Sequence, residues 1–335
     1  MKVAVIGAGR IGRVHIENIS IAAREMEIKT VADPYFNEEG EAFVKGFGVP
    51  NVTKEVDSIF ADPEIEAVLI CSSTDTHADL ICKAAAAGKH IFCEKPVDHD
   101  VARVRMALDA VKKAGVKMQI GFVRRFDHNH RGVYDAVRAG KIGVPHILKI
   151  SSRDPQPPTI EYVRRSGGIF YDMMIHDFDM IRFLAGCEVT EVYAKGAVLV
   201  DPAIGAEGDV DTALVTLTFE NGAIGIIDNS RQAVYGYDQR LEVFGSEGAV
   251  QDENDIPNTV HISRADGTTY GTAYQVMWDR YTQAFIDEMK AFADAVIHDK
   301  VPPVTGLDGL YPVLMAAAAN KSLKEGRPVK ISEVE

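Results

Sequence analysis

A chain of 335 residues with 46% apolar content exceeds what one ordinary hydrophobic core usually holds, so two domains are expected. Its 36 basic and 49 acidic residues give a formal charge of -13, which argues against nucleic acid or an anionic membrane surface as partners. Charged residues at 25% and aromatics at 8% exclude the disordered, collagenous and disulfide-scaffold classes.

The opening MKVAVIGAG is apolar but glycine-punctuated. It is too short to span a bilayer and lacks a signal-like cleavage pattern, so a cytoplasmic location is the expectation. Lys2 to Ile6 reads as the first strand. Further strands are expected at Ile28 to Ala32, around Asn51 and Val52, and at Ala67 to Cys71, His90 to Cys93 and Lys117 to Gly121. Apolar residues recur at three- and four-residue spacing in Gly12 to Glu25, Phe43 to Gly46, Thr76 to Ala87 and Asp100 to Ala114, which makes these the crossover helices. Six strands alternating with helices imply a parallel dinucleotide-binding sheet of the Rossmann type, occupying residues 1–122.

After Gly121 the texture changes. A helix is expected at Asn129 to Ala139, then strands at Ile147 to Ser151, Glu191 to Val200, Thr212 to Phe219, Ala223 to Asn229 and Leu241 to Gly245. Tyr281 to His298 and Gly309 to Glu325 read as late helices. The α/β fold class therefore pairs the first domain with an α+β domain over residues 123–335, built on a mainly antiparallel open sheet. Cys71, Cys82, Cys93 and Cys187 form no C-x-x-C pair and suit a reducing compartment.

Gly7, Gly9 and Gly12 spell G-x-G-x-x-G, with Arg10 and Ile11 between them, directly after a strand and at the start of a helix. There a pyrophosphate can rest on exposed backbone amides. Asp33 ends the second strand, where a carboxylate accepts from ribose hydroxyls and repels a 2′-phosphate, so NAD is expected over NADP. The same residue also fits a turn cap before Pro34. Ser72, Ser73, Thr74 and His77 follow the fourth strand, and Glu94, Lys95 and Pro96 follow the fifth. Both segments lie at the strand ends that line a cofactor crevice.

In SGGIFYDMMIHDFDMIRFLAG, Ser166 to Gly186, two glycines precede what reads as one amphipathic helix. Asp172, His176 and Asp179 would share a face of it. A carboxylate beside an imidazole can orient it and raise its basicity, as a base that removes a hydroxyl proton requires. An ordinary salt bridge between positions four apart fits the pair equally well. These three side chains also offer nitrogen and oxygen to a metal, but no further His or Cys motif completes a site, so no metal is expected.

Together the GAGRIG opening, the EKP tripeptide and the SGG segment resemble the Gfo/Idh/MocA oxidoreductase family over essentially the whole chain. GFVRRFD at Gly121 to Asp127 and SRDPQPP at Ser152 to Pro158 are similar to its inositol-oxidising members. The resemblance implies an NAD-dependent dehydrogenase of myo-inositol, with another inositol isomer or a pyranose sugar as alternative substrates; a noncatalytic NAD-sensing protein is the alternative of a different class. It implies that His176 is the base, Asp172 its support and Lys95 the donor to the reacting oxygen. Arg124, Asp154, Asp179 and Tyr235 would then bind the other hydroxyls. It also implies a cis bond before Pro96 and a homotetramer formed partly through the open sheet face. One departure stands out: Tyr171 occupies a position where similar segments often carry arginine.

Overall fold

The computed structural model describes residues 1–335. The chain divides into two compact units, Met1–Phe126 with Gln283–Val313, and Asp127–Thr282 with Leu314–Glu335.

In the first unit, β1 (Lys2–Ile6), β2 (Glu27–Ala32), β3 (Asn51–Thr53), β4 (Ala67–Ile70), β5 (His90–Glu94) and β6 (Met118–Gly121) form one sheet in the order β3-β2-β1-β4-β5-β6. Every pairing is parallel. This is the doubly wound arrangement, and the unbroken burial of β4 follows from helices on both faces. The connections are α1 (Arg10–Ala22), α2 (Glu38–Gly46), α3 (Asp57–Ala61), α4 (Thr74–Ala86) and α5 (Val101–Ala114). Local chemistry sets their ends. Asn37 caps α2 by accepting from the Gly40 amide, and Asp100 caps α5 at Ala102; α5 stops at left-handed Gly115 after Lys112 and Lys113.

The second unit opens with α6 (His128–Arg138), capped by Asp127. It continues through β7 (Pro145–Arg153), α7 (Ile160–Ser166), α8 (Ile169–Asp172), α9 (Ile175–Ala185), β8 (Val189–Ala197), α10 (Pro202–Ala206), β9 (Thr212–Phe219), β10 (Ile224–Ser230), β11 (Asp238–Gly245) and β12 (Gly248–Asp252). A hairpin follows, β13 (His261–Arg264) and β14 (Gly267–Tyr270), and the chain ends through α11 (Met277–Ile297), α12 (Gly306–Glu325) and β15 (Val329–Lys330), with Gln283–Val313 of this stretch lying in the first unit. The seven-stranded sheet runs β12-β11-β7-β10-β9-β8-β15. Only β7 and β10 pair in parallel. Burial alternates along β9, with Ala213, Val215, Leu217 and Phe219 inward. On the opposite face Ile147, Leu214, Ile224 and Phe244 stay exposed.

Three expectations need correction. Residues 123–335 do not form one continuous domain, because Gln283–Val313 returns to the first unit. Met289, Phe292 and Ala293 of α11 enter the same core as Val3, Leu69 and Phe92, and the Ile120 amide of β6 donates to the Val304 carbonyl. Nor is the SGG segment one amphipathic helix. Met173 and Met174 separate α8 from α9, the Met174 amide reaches back to Ile169, and α9 is buried on nearly every side. The expected strand to Val200 also ends early, because the Leu199, Val200 and Asp201 amides donate to the buried Asp211 carboxylate instead of a sheet ladder.

Candidate active site

The glycine loop between β1 and α1 is defined by close approach. Gly7 has φ +96°, and a side chain there would stand 2.7 Å from the Cys71 carbonyl carbon and the Ser72 amide nitrogen. A side chain on Gly12 would meet the Gly7 carbonyl oxygen at 2.1 Å, so only glycine lets α1 start against this loop. Gly9, the N-cap, has open space where a side chain would be. No side chain caps α1 and no acid sits in its first turn, so its amides and positive dipole end can receive a pyrophosphate. Arg10 and Ile11 belong to that turn.

Asp33 serves two neighbours at once. Its Oδ2 accepts from the Ala8 amide at 2.8 Å and its Oδ1 from the Tyr35 amide at 2.8 Å, tying the end of β2 to the glycine loop. The turn-capping role is therefore present, and each oxygen keeps a lone pair for a ribose hydroxyl. Ser72, Ser73 and Thr74 lead into α4, with the Ser72 hydroxyl 2.6 Å from that of Thr76.

Two residues expected to touch the cofactor face inward. His77 is 1% exposed, with Nδ1 2.8 Å from the Pro96 carbonyl and Nε2 3.0 Å from the Ser72 carbonyl. Burial lowers its pKa despite these two acceptors, so it is a neutral brace between the β4 and β5 loops. Glu94 is also buried, its Oε1 2.6 Å from His15 Nε2, and the Gly121 backbone passes so close that a side chain there would lie 3.1 Å from the carboxylate. Sequence spacing places such residues at strand ends but does not say which way they turn. Half-buried Lys95 follows Glu94, and its bond to Pro96 is cis. Arg124 is buried in the 3-10 turn Val123–Phe126 after β6.

In the second unit the glycines of the SGG segment have a geometric cause. Gly167 ends α7 at φ +81° and Gly168 begins α8 at φ +85°. A side chain on Gly168 would stand 2.9 Å from Asp209 Oδ1, the atom that accepts from the Ile169 amide. At the other end of α8, Asp172 Oδ1 accepts from the Tyr162 hydroxyl at 2.6 Å and Oδ2 from Arg231 Nη1 at 2.6 Å. Arg231, which sequence reasoning did not single out, is tied by this bond to a candidate site residue. His176 and Asp179 lie buried on α9, whose first turn is held by Asp177: its carboxylate accepts from Ser152 Oγ of β7 at 2.5 Å and Asn229 Nδ2 of β10 at 2.9 Å. Asp154, just after β7, is bound through its backbone to Ser230 and Ala233.

The Tyr235 hydroxyl belongs to a different group. It donates to Asp238 Oδ2 at 2.5 Å and accepts from Arg153 Nη1 at 3.0 Å, while Arg153 also pairs with Asp228. Burial, with the Asp238 carboxylate, raises the phenol pKa. Tyr235 thus has only a lone pair left to offer a ligand.

A separate cluster joins Asp127, His130 and Asp252, whose ligand-type atoms all lie within 4.8 Å of one another. His130 Nδ1 is 2.5 Å from Asp252 Oδ2, and Arg280 grips both oxygens of Asp127. Burial alone would raise the Asp127 pKa, but His130 and Arg280 outweigh it and hold the carboxyl below its ordinary range. A divalent cation would have to compete with a guanidinium already in place, so the cluster reads as a tie between α6, β12 and α11.

The fold agrees with comparisons to known proteins. Residues 1–122 match the family described as an oxidoreductase family with an NAD-binding Rossmann fold, and residues 130–251 match the GFO/IDH/MocA C-terminal domain. The chain is 46% identical over 336 residues to the myo-inositol 2-dehydrogenase of Thermotoga maritima, covering 100% of this chain and 99% of that protein. It is 44% identical over 332 residues to the inositol 2-dehydrogenase of Rhizobium meliloti, covering 99% of each. The crystal structure of scyllo-inositol dehydrogenase from Lactobacillus casei, with bound NAD(H) and scyllo-inositol, superposes with a TM-score of 0.93 at 28% identity, covering 99% of each chain.

Proposed function

The chain belongs to the GFO/IDH/MocA oxidoreductase family, and from that membership we propose that it is a cytoplasmic enzyme oxidising myo-inositol to 2-keto-myo-inositol with NAD. The observation that carries the substrate is the end-to-end similarity to the Thermotoga maritima enzyme of that name. NAD, when bound, supplies the hydride acceptor. On this reading His176 removes the hydroxyl proton, Asp172 supports it, and Lys95 donates a hydrogen bond to the reacting oxygen. Arg124, Asp154 and Asp179 pair the remaining hydroxyls, and Tyr235 contributes at most an acceptor. Such pairing selects a polyol, because a site built around hydroxyls penalises an analogue that lacks one. NADH formation measured against myo-inositol, scyllo-inositol, other isomers and common pyranoses tests the assignment. Turnover confined to a pyranose would replace the inositol reading, and no turnover on any of them would favour an NAD-sensing role.

Asp33 is expected to set cofactor choice, since its carboxylate opposes the added phosphate of NADP. Asp33→Ser should narrow the ratio of kcat/KM for NAD over NADP by about tenfold or more. An unchanged ratio removes Asp33 as the discriminator. No helix is long and apolar enough to cross a membrane. The exposed apolar residues Ile147, Leu214, Ile224 and Phe244 on the seven-stranded sheet support assembly through that face. Light scattering should give about four times the 36.6 kDa chain mass, and a mass near one chain would exclude the tetramer.

A further inference from the structure

Resting on the reading that Asp172 belongs to the catalytic machinery, we infer that Arg231 is its positioning residue: a buried guanidinium fixes the Asp172 carboxylate, together with Tyr162. Arg231 is 1% exposed, and a charge so deeply buried is retained only beside opposite charge. Burial works against its protonation, yet Asp172, Asp154 and Asp209 outweigh that and raise its pKa above the ordinary arginine value. Two carboxylates, Asp172 and Asp209, stand within 4.0 Å of this one cation. Asp172 is the one it bonds directly, while Nη2 stands 3.8 Å from Asp209 Oδ2.

The backbone beneath this contact is anchored. The Arg231 amide donates to the Asp211 carbonyl at 2.8 Å, and the Asp211 carboxylate gathers the amides of Leu199, Val200 and Asp201. The guanidinium thus projects from a pinned base, and Asp209 secures the opposite end of α8 at Ile169. Oδ1 is held by Tyr162 and Oδ2 by Arg231, so the Asp172 carboxylate plane is set from both sides. A carboxylate whose plane is fixed in this way suits a group that must orient an imidazole. Lysine cannot reproduce this, because its ammonium is a point charge without the planar guanidinium that sets one N–H on Asp172 while a second nitrogen faces Asp209.

Steady-state kinetics of R231M and R231K with myo-inositol, alone and in the D172N background, test the inference, with NAD affinity measured by calorimetry as a readout independent of turnover. R231M should lower kcat about 10²-fold, R231K about tenfold, with KM for inositol changed less than kcat and NAD affinity unchanged. In the D172N background the Arg231 substitutions should cost little more, because the group they orient is already disabled. Should R231M fail to fold, R231K carries the test. Wild-type kcat in any folded Arg231 variant overturns the inference, as does an equal loss with and without Asp172. Near-normal turnover of D172N alone overturns the catalytic reading of Asp172 and the inference with it. Impaired D172N beside fully active Arg231 variants overturns the inference only.

Discussion

His176→Ala is expected to lower kcat with the best inositol about 10²–10⁴-fold while leaving NAD affinity unchanged, because the lost proton acceptor acts in the transition state. The glycine loop expected to receive NAD belongs to the first unit and His176 to the second, so the two measurements report on different units. Stopped-flow or steady-state turnover, with NAD titration by fluorescence, checks both. A variant that keeps near-normal turnover would make His176 a packing residue of α9, and the assignment of the base would be withdrawn.

The second large effect concerns stability. Glu288 is fully buried, and neither carboxylate oxygen has a hydrogen-bond partner. Burial, with the nearby charge of Glu94, pushes its pKa well above the ordinary carboxylate range. Glu288 therefore keeps its proton to higher pH in the folded chain than in the unfolded chain, which releases it around pH 4.3. For a raised pKa, the stabilising contribution is complete below the unfolded value and is lost as pH rises toward the folded one, at about 1.4 kcal/mol per pH unit. Glu288→Gln has no proton to release. Its stability relative to the parent should grow steadily from pH 5 to 8 in urea unfolding experiments, by up to about 1.4 kcal/mol per unit. A difference that stays flat with pH would mean that Glu288 is already ionised in the fold.

What the sequence discloses about this molecule is what local pattern encodes. β-Branched runs such as KVAVI and the glycine fingerprint place the strands and the cofactor loop, and Asp100 with Gly115 marks both ends of a helix. The break at Met173 and Met174 is not legible, because apolar residues on all sides of α9 give the same pattern whether the helix runs through or is interrupted. Direction is equally hidden for Glu94 and His77. Glu94 ends β5 and His77 lies in the first turn of α4, and each turns inward to a partner on another segment. Arg231 is the clearest omission: it bonds a carboxylate 59 residues away, and nothing in NSRQAV distinguishes it from a surface arginine. The periodicity of Gln283 to Val313 announces helices without saying which core receives them.

That returning segment bears on how the molecule is made. A ribosome completes Met1–Phe126 long before it reaches Phe292, since the whole of Asp127–Thr282 is synthesised in between. At about 5–20 residues per second the interval is on the order of ten seconds or more. Throughout it, the nascent nucleotide-binding sheet presents the apolar surface around Phe92 that Met289 and Phe292 later cover, and the β6 edge lacks the carbonyl of Val304. The first unit to emerge is thus among the last to be finished, and in the cell its surface is open to chaperones until the chain doubles back.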